Sequence, residues 1–153
     1  TSGEAEWALV VGDGPDDLLV TAASDHTDRA LEAHGIGWSK ATSPNVLGDL
    51  AWYVSDVATR WDEFRLSAWV TDGESRTLIQ RASLAELLPP AYWLERLSEQ
   101  QLLRPGTVLL GGTVPMADGV DPYTDAWRVE LAAPDGRTSV VAYRCERLPP
   151  SWE

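Results

Sequence analysis

The chain reads "TSGEAEWALVVG" over Thr1–Gly12, and residues 7–11 of this stretch are an unbroken apolar run. Such a run is typical of a buried strand. A second strand-like run, "LLVTAAS" (residues 18–24), follows after "GDGPDD" (residues 12–17), which is a cluster of turn-forming residues. We therefore predict that this part of the chain forms an antiparallel β-hairpin.

The rest of the sequence alternates between strand patterns and short helical patterns. A helix is predicted over 24–35, capped by Ser24 or Asp25 and ended by Gly35, and a loop is predicted over 39–45. A second hairpin joins 64–70 with 76–82, and a capping box follows from Ser83 to Glu86. The last predicted elements are a helix over 91–101, a strand within 103–113 and a hairpin over 126–148. The predicted class is mainly β, or α+β with a large rolled sheet and short peripheral helices. Because no linker divides the chain, we predict one domain, residues 1–153.

The charge of the chain excludes two classes of partner. It has 12 basic and 24 acidic residues, a net charge of −12, which opposes contact with nucleic-acid phosphates or anionic membranes. No apolar run is long enough to span a bilayer, and the single cysteine, Cys145, fits a reducing cytoplasm. Lys40 is the only lysine among these basic residues. A lysine offers a compact ammonium whose pKa responds to its surroundings, so Lys40 is a candidate functional residue.

Two carboxylates, Glu4 and Glu6, lie at the start of the first strand. Residues two apart in a strand project from the same face, so these side chains would lie together. They repel each other unless a cation or a shared proton lies between them, and a hard divalent ion such as Mg²⁺ or Ca²⁺ prefers such oxygen ligands. The alternative is an exposed strand end with solvated carboxylates.

Further polar residues lie at predicted junctions. "SDHTDR" brings Asp25, His26 and Arg29 to the end of a strand, although Asp25 alone would also be explained as a helix cap. Gln80 lies in an apolar strand, where its amide needs hydrogen-bond partners. The backbone amides of "LLGGTVP", including that of Gly112, and the hydroxyl of Thr113 would suit an anion.

The order of these motifs resembles that of the fumarylacetoacetate hydrolase (FAH) superfamily. The shared series is E-x-E on a strand, D-x-x-x-R, a lysine, a glutamine in a strand, and L-x-P-G followed by G-T. The matching residues are Glu4, Glu6, Asp25, Arg29, Lys40, Gln80, Leu103, Pro105, Gly106, Gly112 and Thr113. "SGEAEW" and "SDHTDRALEA" are more specifically similar to a set of uncharacterised bacterial proteins within that superfamily.

The resemblance implies a rolled mixed β-sheet and a divalent cation, Mg²⁺, Ca²⁺ or Mn²⁺, bound by Glu4, Glu6 and Asp25, with no organic cofactor. It also implies a homo-oligomer and a small-molecule substrate, since the superfamily mostly cleaves C–C bonds in acylpyruvate-type diketo acids, with decarboxylases and isomerases also represented. The sequence departs from the superfamily in a shorter hairpin between Glu6 and Asp25 and in Val114, which interrupts the usual G-T-P. Relatives carry a further N-terminal segment with another metal-binding carboxylate and a catalytic histidine, so we expect an upstream segment or chain to complete the site.

The first residue suggests a second hypothesis. An N-terminal threonine is a nucleophile whose own α-amine serves as the base, and enzymes of that kind usually generate this terminus by self-cleavage. Thr1 lies three residues before Glu4, about 10 Å away on an extended strand. Self-cleavage, trimming of an initiator methionine and a cloned or proteolysed fragment all remain open as origins of Thr1.

Three functions are therefore expected, in descending order. The first is a cytoplasmic hydrolase of a small carbonyl- or carboxylate-bearing metabolite at a divalent-metal site, with the bond that it cleaves left open. Lys40 and His26 would have catalytic roles, and Arg29, Gln80, Gly112 and Thr113 would bind the substrate. The second is an amidase or acyl hydrolase on the same fold, with Thr1 as the nucleophile. The third is a non-enzymatic β-rich binding module, for which the eight tryptophans would supply a binding surface.

Overall fold

The computed structural model describes residues 1–14 and 16–146. Pro15 of the first predicted turn and the last two residues of the predicted final hairpin, 147 and 148, lie outside them. The strands are β1 Ala5–Val11, β2 Leu18–Ser24, β3 Val46–Tyr53, β4 Arg65–Asp72, β5 Ser75–Ser83, β6 Val108–Thr113, β7 Ala126–Ala132 and β8 Thr138–Arg144. The α-helices are α1 Arg29–Glu32, α2 Ile36–Ala41, α3 Val54–Ala58 and α4 Pro90–Glu99, and 3-10 turns occupy Trp61–Glu63 and Leu84–Glu86.

These strands form two four-stranded sheets. The first has the order β3-β2-β1-β6 and the second has the order β5-β4-β7-β8. Every strand pair in the described residues is antiparallel. The predicted mainly β or α+β class is confirmed, with two antiparallel sheets where one rolled mixed sheet was expected.

The core lies between the two sheets and is rich in aromatic side chains. Trp7 on β1 and Trp127 on β7 are almost completely buried, and Trp7 meets Trp61 edge to face with 4.8 Å between ring centroids. Gly111 on β6 lies against the Trp7 indole, and a β-carbon at this position would overlap the ring. Close backbone approach at Gly111 is therefore what admits the large Trp7 side chain to the core.

All three predicted hairpins are present, because each is specified by a local turn and by two alternating strands. β1 pairs with β2, β4 with β5 and β7 with β8. The capping box is also observed, with the Ser83 hydroxyl accepting from the Ala85 amide and the Glu86 carboxylate accepting from the Ser83 amide. These elements depend on neighbours in sequence, which is why the sequence predicts them.

Two local predictions are wrong. The helix predicted over 24–35 is only the short α1, and its N-cap is Asp28, whose carboxylate accepts from the amides of Ala30 and Leu31. Ser24 ends β2 instead of capping a helix, because strand pairing continues to that residue. The predicted loop over 39–45 begins inside helix α2, which carries Lys40.

One strand, β3, was not predicted at all. It lies at the edge of its sheet and is interrupted in sequence by Gly48 and Asp49. Gly48 packs so closely on Ser139 of the other sheet that a β-carbon would overlap the Ser139 hydroxyl. Asp49 accepts a hydrogen bond from the Val140 amide at 2.9 Å. Its residues alternate between half-buried and exposed in the structure, but its sequence, VLGDLAWY, has no regular alternation of apolar and polar residues.

Candidate functional site

Three carboxylates converge where β1 begins and β2 ends. The strands are antiparallel with Ala5 opposite Ser24, so the residues just outside this pair, Glu4 and Asp25, are neighbours. The Asp25 amide donates to the Glu4 carbonyl at 3.1 Å. Glu6 lies two residues along β1, and one oxygen from each of the three carboxylates lies within 4.8 Å of the other two. The fold thus brings together Glu4, Glu6 and Asp25, the three residues that were predicted to bind a metal ion.

The cluster is largely inaccessible to water, which disfavours negative charge. Glu6 and Asp25 are only 5% and 4% exposed. Burial raises the pKa of the Glu6 carboxyl to about 7, against a smaller opposing effect of the hydrogen bond from the Gly112 amide at 2.8 Å. Gly112 has a φ of 113°, a backbone conformation that favours glycine and that aims this amide at Glu6.

Two cations from the following helices partly neutralise the carboxylates. Arg29 at the start of α1 donates to one Glu4 oxygen at 2.7 Å. Lys40 on α2 contacts the other Glu4 oxygen and one Asp25 oxygen, both at 2.6 Å. Burial lowers the pKa of Lys40, but hydrogen bonds and charge from Asp25 and Glu4 outweigh this effect and raise it. The ammonium is therefore firmly protonated between two members of the cluster.

The cluster satisfies the donor requirements of a hard divalent cation. Asp25 Oδ1 is buried and has no hydrogen-bond partner among the described residues, and Glu6 offers the carboxylate oxygen that Gly112 does not contact. Mg²⁺ and Ca²⁺ bind oxygen ligands at about 2.0–2.6 Å, so ligand atoms on one ion lie no more than about 5 Å apart. The spacing of these three oxygens and the orphaned buried oxygen both fit such an ion.

Gln80 connects the two sheets directly behind the carboxylates. Its side-chain oxygen accepts from the Ala5 amide at 2.8 Å, and its amide nitrogen donates to the Thr113 hydroxyl at 2.9 Å and the Val114 carbonyl at 2.5 Å. Thr113 in turn donates to the Ala5 carbonyl at 2.8 Å. All polar groups of the Gln80 side chain are therefore used in holding β5 against β1 and the end of β6. The hydrogen-bond partners that its amide was predicted to need are present.

A pocket of about 420 Å³ opens beside these residues. It is lined by Glu4, Arg29, Gln80, Thr113, Val114, Pro115 and Met116. Its polar lining includes one residue of the carboxylate cluster, Glu4, and its apolar lining is formed by Val114, Pro115 and Met116. The pocket can therefore receive a small molecule with a polar group directed towards the carboxylates.

The predicted residues Thr1 and His26 lie in a separate hydrogen-bond chain. His26 Nε2 is 3.0 Å from the Thr1 hydroxyl, and His26 Nδ1 is 2.8 Å from the Tyr143 hydroxyl. The Tyr143 hydroxyl also lies 2.9 Å from that of Ser24. Burial lowers the pKa of His26, so its ring is biased towards the neutral form. Neither Thr1 nor His26 lines the pocket beside the carboxylates.

Two residues of this region, Tyr143 and Ser2, were not predicted from the sequence. Tyr143, on β8, contacts His26 across 117 positions of sequence, and no local pattern indicates such a pairing. Ser2 accepts from Arg29 Nε at 2.7 Å and pairs with Thr27 in an isolated bridge. A serine before a strand carries no signal of its own.

We expect Gln80→Ala to lower the free energy of unfolding by about 2 kcal/mol, because buried backbone groups of Ala5 and Val114 lose their partner. Urea denaturation measures the change. Gln100→Ala, at the exposed end of α4, removes the same side chain and should change stability by less than about 0.5 kcal/mol. Equal stability of the two variants would contradict a structural role for Gln80.

Comparison with solved structures identifies the fold. A 2-keto-3-deoxyarabinonate dehydratase aligns with a TM-score of 0.71 at 18% identity, over 90% of this chain and 49% of that chain. The same enzyme complexed with magnesium and 2,5-dioxopentanoate gives a TM-score of 0.67 at 18% identity, over 90% and 50%. The protein Cg1458 gives 0.66 at 19% identity, over 90% and 57%. The chain thus has the fold of these proteins and spans about half of their length.

Comparison with protein families identifies the family. Residues 1–143 match the model described as "Protein of unknown function (DUF2848)". This range is nearly the whole chain, and the chain belongs to the DUF2848 family. No curated protein is significantly similar to it in sequence. None of the helices in residues 1–14 and 16–146 has the length and apolar character needed to cross a membrane.

Proposed function

We propose that this chain carries the metal-binding part of an enzyme of the FAH superfamily that hydrolyses a small carbonyl- or carboxylate-bearing metabolite. The observation that carries the proposal is the convergence of Glu4, Glu6 and Asp25, with a buried Asp25 oxygen that lacks a partner among the described residues. The similarity of fold to a dehydratase that has been complexed with magnesium supports it. So does the order of motifs in the sequence.

The three carboxylates would hold a divalent cation, with Mg²⁺ preferred. When bound, such an ion polarises a carbonyl oxygen and stabilises the negative charge that develops on it. The Arg29 guanidinium binds one carboxylate oxygen of Glu4, and the Lys40 ammonium binds the other. We infer that Arg29 orients the metal-binding carboxylates, whereas Lys40 is able to turn towards an anionic group of the substrate once a metal ion neutralises the cluster.

The neighbouring pocket would hold the substrate. Its polar side, with Thr113, lies close to Glu4, and its apolar side is formed by Val114, Pro115 and Met116. This arrangement suits a short keto acid whose carbonyl oxygen would be attracted by the cation that the carboxylates would hold and whose carbon chain would lie against the apolar residues, such as Met116. Acylpyruvate-type diketo acids, which the resemblance implies, have this character. Cleavage of their C–C bond by water is the proposed reaction, and elimination of water is the competing one on this fold.

Isothermal titration with Mg²⁺ and with Mn²⁺ tests the metal site. We expect one ion per chain for the unmodified protein and loss of at least about tenfold in affinity for Glu6→Gln and for Asp25→Asn, because each change removes one anionic ligand. The titration is run at pH 8, where the Glu6 carboxyl is ionised. Glu74→Gln, in the exposed turn between β4 and β5, is the matched control and should bind as the unmodified protein does.

The activity is tested on the same proteins. An acylpyruvate is incubated with the protein and Mg²⁺, and loss of the diketone absorbance is followed together with the products. Hydrolysis that depends on Mg²⁺ and on Asp25 supports the proposed reaction. Metal binding without turnover of any diketo acid would reject the substrate class, whereas unchanged metal binding in Glu6→Gln and Asp25→Asn would reject the site itself.

One observation favours a second candidate, in which Thr1 acts as a nucleophile on an amide or acyl bond. The Thr1 hydroxyl lies 3.0 Å from His26 Nε2, a distance suited to proton transfer to a neutral imidazole. Activity that survives chelation, is kept by Thr1→Ser and is lost in Thr1→Ala would support this candidate. The intact mass of the product of the complete gene, with Thr1→Ala alongside, tests whether the chain is cut before Thr1.

A further inference from the structure

The outer face of the second sheet carries a concentration of positive charge. Strand register places Arg76, Thr71, Ala126 and Arg144 in one row across β5, β4, β7 and β8. The next row on the same face contains Trp69, Arg128 and Ala142. Residues directly opposite each other in a sheet project from the same side, so three arginines surround a floor of small side chains.

These residues line an open depression of about 370 Å³, to which Trp127 and Tyr143 also contribute. We name it the arginine pocket and define it by its outward-facing residues, Thr71, Arg76, Ala126, Arg128, Ala142 and Arg144. Its floor is low because threonine and alanine are short, whereas the arginines at its sides are long. Strands in a sheet lie about 4.8 Å apart, so Arg76 and Arg144, three strands apart, are separated by about 14 Å at their α-carbons. Both guanidinium groups can reach a small ligand placed between them.

The positive charge of the pocket is only partly neutralised. Glu130 accepts from Arg128 at 2.6 Å and lies 3.9 Å from Arg76. Among residues 1–14 and 16–146, no other carboxylate lies within 4.0 Å of any of the three guanidinium groups. One carboxylate therefore faces three arginines, in a chain whose net charge is −12.

Arg76 is held in place by an aromatic ring. Its guanidinium lies over the Trp69 ring, 4.5 Å from the centroid. Such stacking fixes the plane of the guanidinium and leaves its N–H groups at the edge for an oxyanion. A side chain that is already ordered loses less conformational entropy when it binds a ligand.

We propose that the arginine pocket binds a small polyvalent oxyanion, a molecule carrying two or more phosphate or carboxylate groups. The pocket lies in the β5-β4-β7-β8 sheet, whereas the Glu4, Glu6 and Asp25 cluster belongs to the β1–β2 hairpin of the other sheet, and the two share no residue. The proposal is thus independent of the proposed function. A small ligand fits the limited number of arginines that line the pocket, and the overall acidity of the chain disfavours a nucleic acid as the occupant.

Titration calorimetry with pyrophosphate and with citrate, at constant ionic strength and without divalent ions, tests the proposal. We expect one site per chain and about tenfold weaker binding in Arg76→Gln and in Arg144→Gln, since each loses a charge-assisted hydrogen bond. Tighter binding of pyrophosphate would identify a phosphate ligand, and tighter binding of citrate a carboxylate ligand. Both substituted arginines are exposed, and thermal unfolding checks that the variants are folded.

Arg104→Gln is the matched control, because it removes one exposed arginine outside the pocket. Its affinity should stay within about twofold of the unmodified protein if local contacts dominate over net charge. Equal weakening in Arg104→Gln, or no binding of either anion, would overturn the proposal. Loss of binding in Lys40→Met but not in Arg144→Gln would place the anion at the carboxylate cluster and overturn it as well. A dimer of the protein that buries Arg76 and Arg144 would also overturn the proposal, because this outer face of the sheet would then bind a second copy of the chain.

Discussion

Replacing Trp7 with alanine should lower the free energy of unfolding by about 3–5 kcal/mol, the range for removing a large aromatic side chain from a core. Trp7 is fully buried between the two sheets, meets Trp61 edge to face, and fills the space left by Gly111. Gly111 has no side chain that could fill the resulting cavity. For a domain of this size the melting temperature should fall by about 10 °C, as measured by calorimetry.

The matched control for this change is Trp38→Ala. Trp38, on α2, is 73% exposed, so the same substitution removes little buried surface and should cost less than about 0.5 kcal/mol. If Trp7→Ala fails to fold, Trp7→Phe serves in its place, with an expected loss of about 1–2 kcal/mol because an aromatic ring is kept. Equal stability of Trp7→Ala and Trp38→Ala would contradict the proposed role of Trp7 in the core.

Removing the charge of Lys40 should destabilise the metal-free protein by about 3 kcal/mol, the lower end of the cost of breaking a buried ion pair. The ammonium contacts Glu4 and Asp25 at 2.6 Å each, so Lys40→Met leaves two buried carboxylates with less compensating charge. The lower end applies because 26% of the Lys40 side chain is exposed. Urea denaturation in the presence of EDTA measures the change, and Lys40→Arg, which keeps a positive charge, should recover most of it.

The same variant connects stability to the proposed metal site. Mg²⁺ should stabilise Lys40→Met more than it stabilises the unmodified protein, because the ion replaces the missing positive charge among the carboxylates. A protein is stabilised by about 2.7 kcal/mol when the ion is present at 100 times its dissociation constant. At one Mg²⁺ concentration, the protein that binds the ion more tightly therefore gains more stability. Melting temperatures with and without Mg²⁺ measure this difference. If Mg²⁺ leaves the stability of Lys40→Met unchanged, the carboxylates do not form a metal site.

The candidate site was predictable to the extent that its residues follow from local patterns. Glu4 and Glu6 are two apart on a strand, and the hairpin that follows returns the chain to Asp25, so three carboxylates come together through a single turn. The residues that surround them do not follow in this way. Lys40 contacts the cluster from helix α2, and residues 39–45, which include Lys40, were expected to be a loop.

The sequence by itself determined the hairpins and the β-rich class, because each depends on residues close together in the chain. It also paired Glu4 with Glu6, whereas Asp25 was grouped with them through the resemblance to the FAH superfamily. Only the tertiary structure decided how the two sheets face each other and which distant groups meet. Gln80 binds Ala5 across 75 positions, Tyr143 reaches His26 across 117, and the three arginines of the pocket come from three different strands. Such contacts are selected by burial and hydrogen bonding in the whole fold, and no local pattern of residues encodes them.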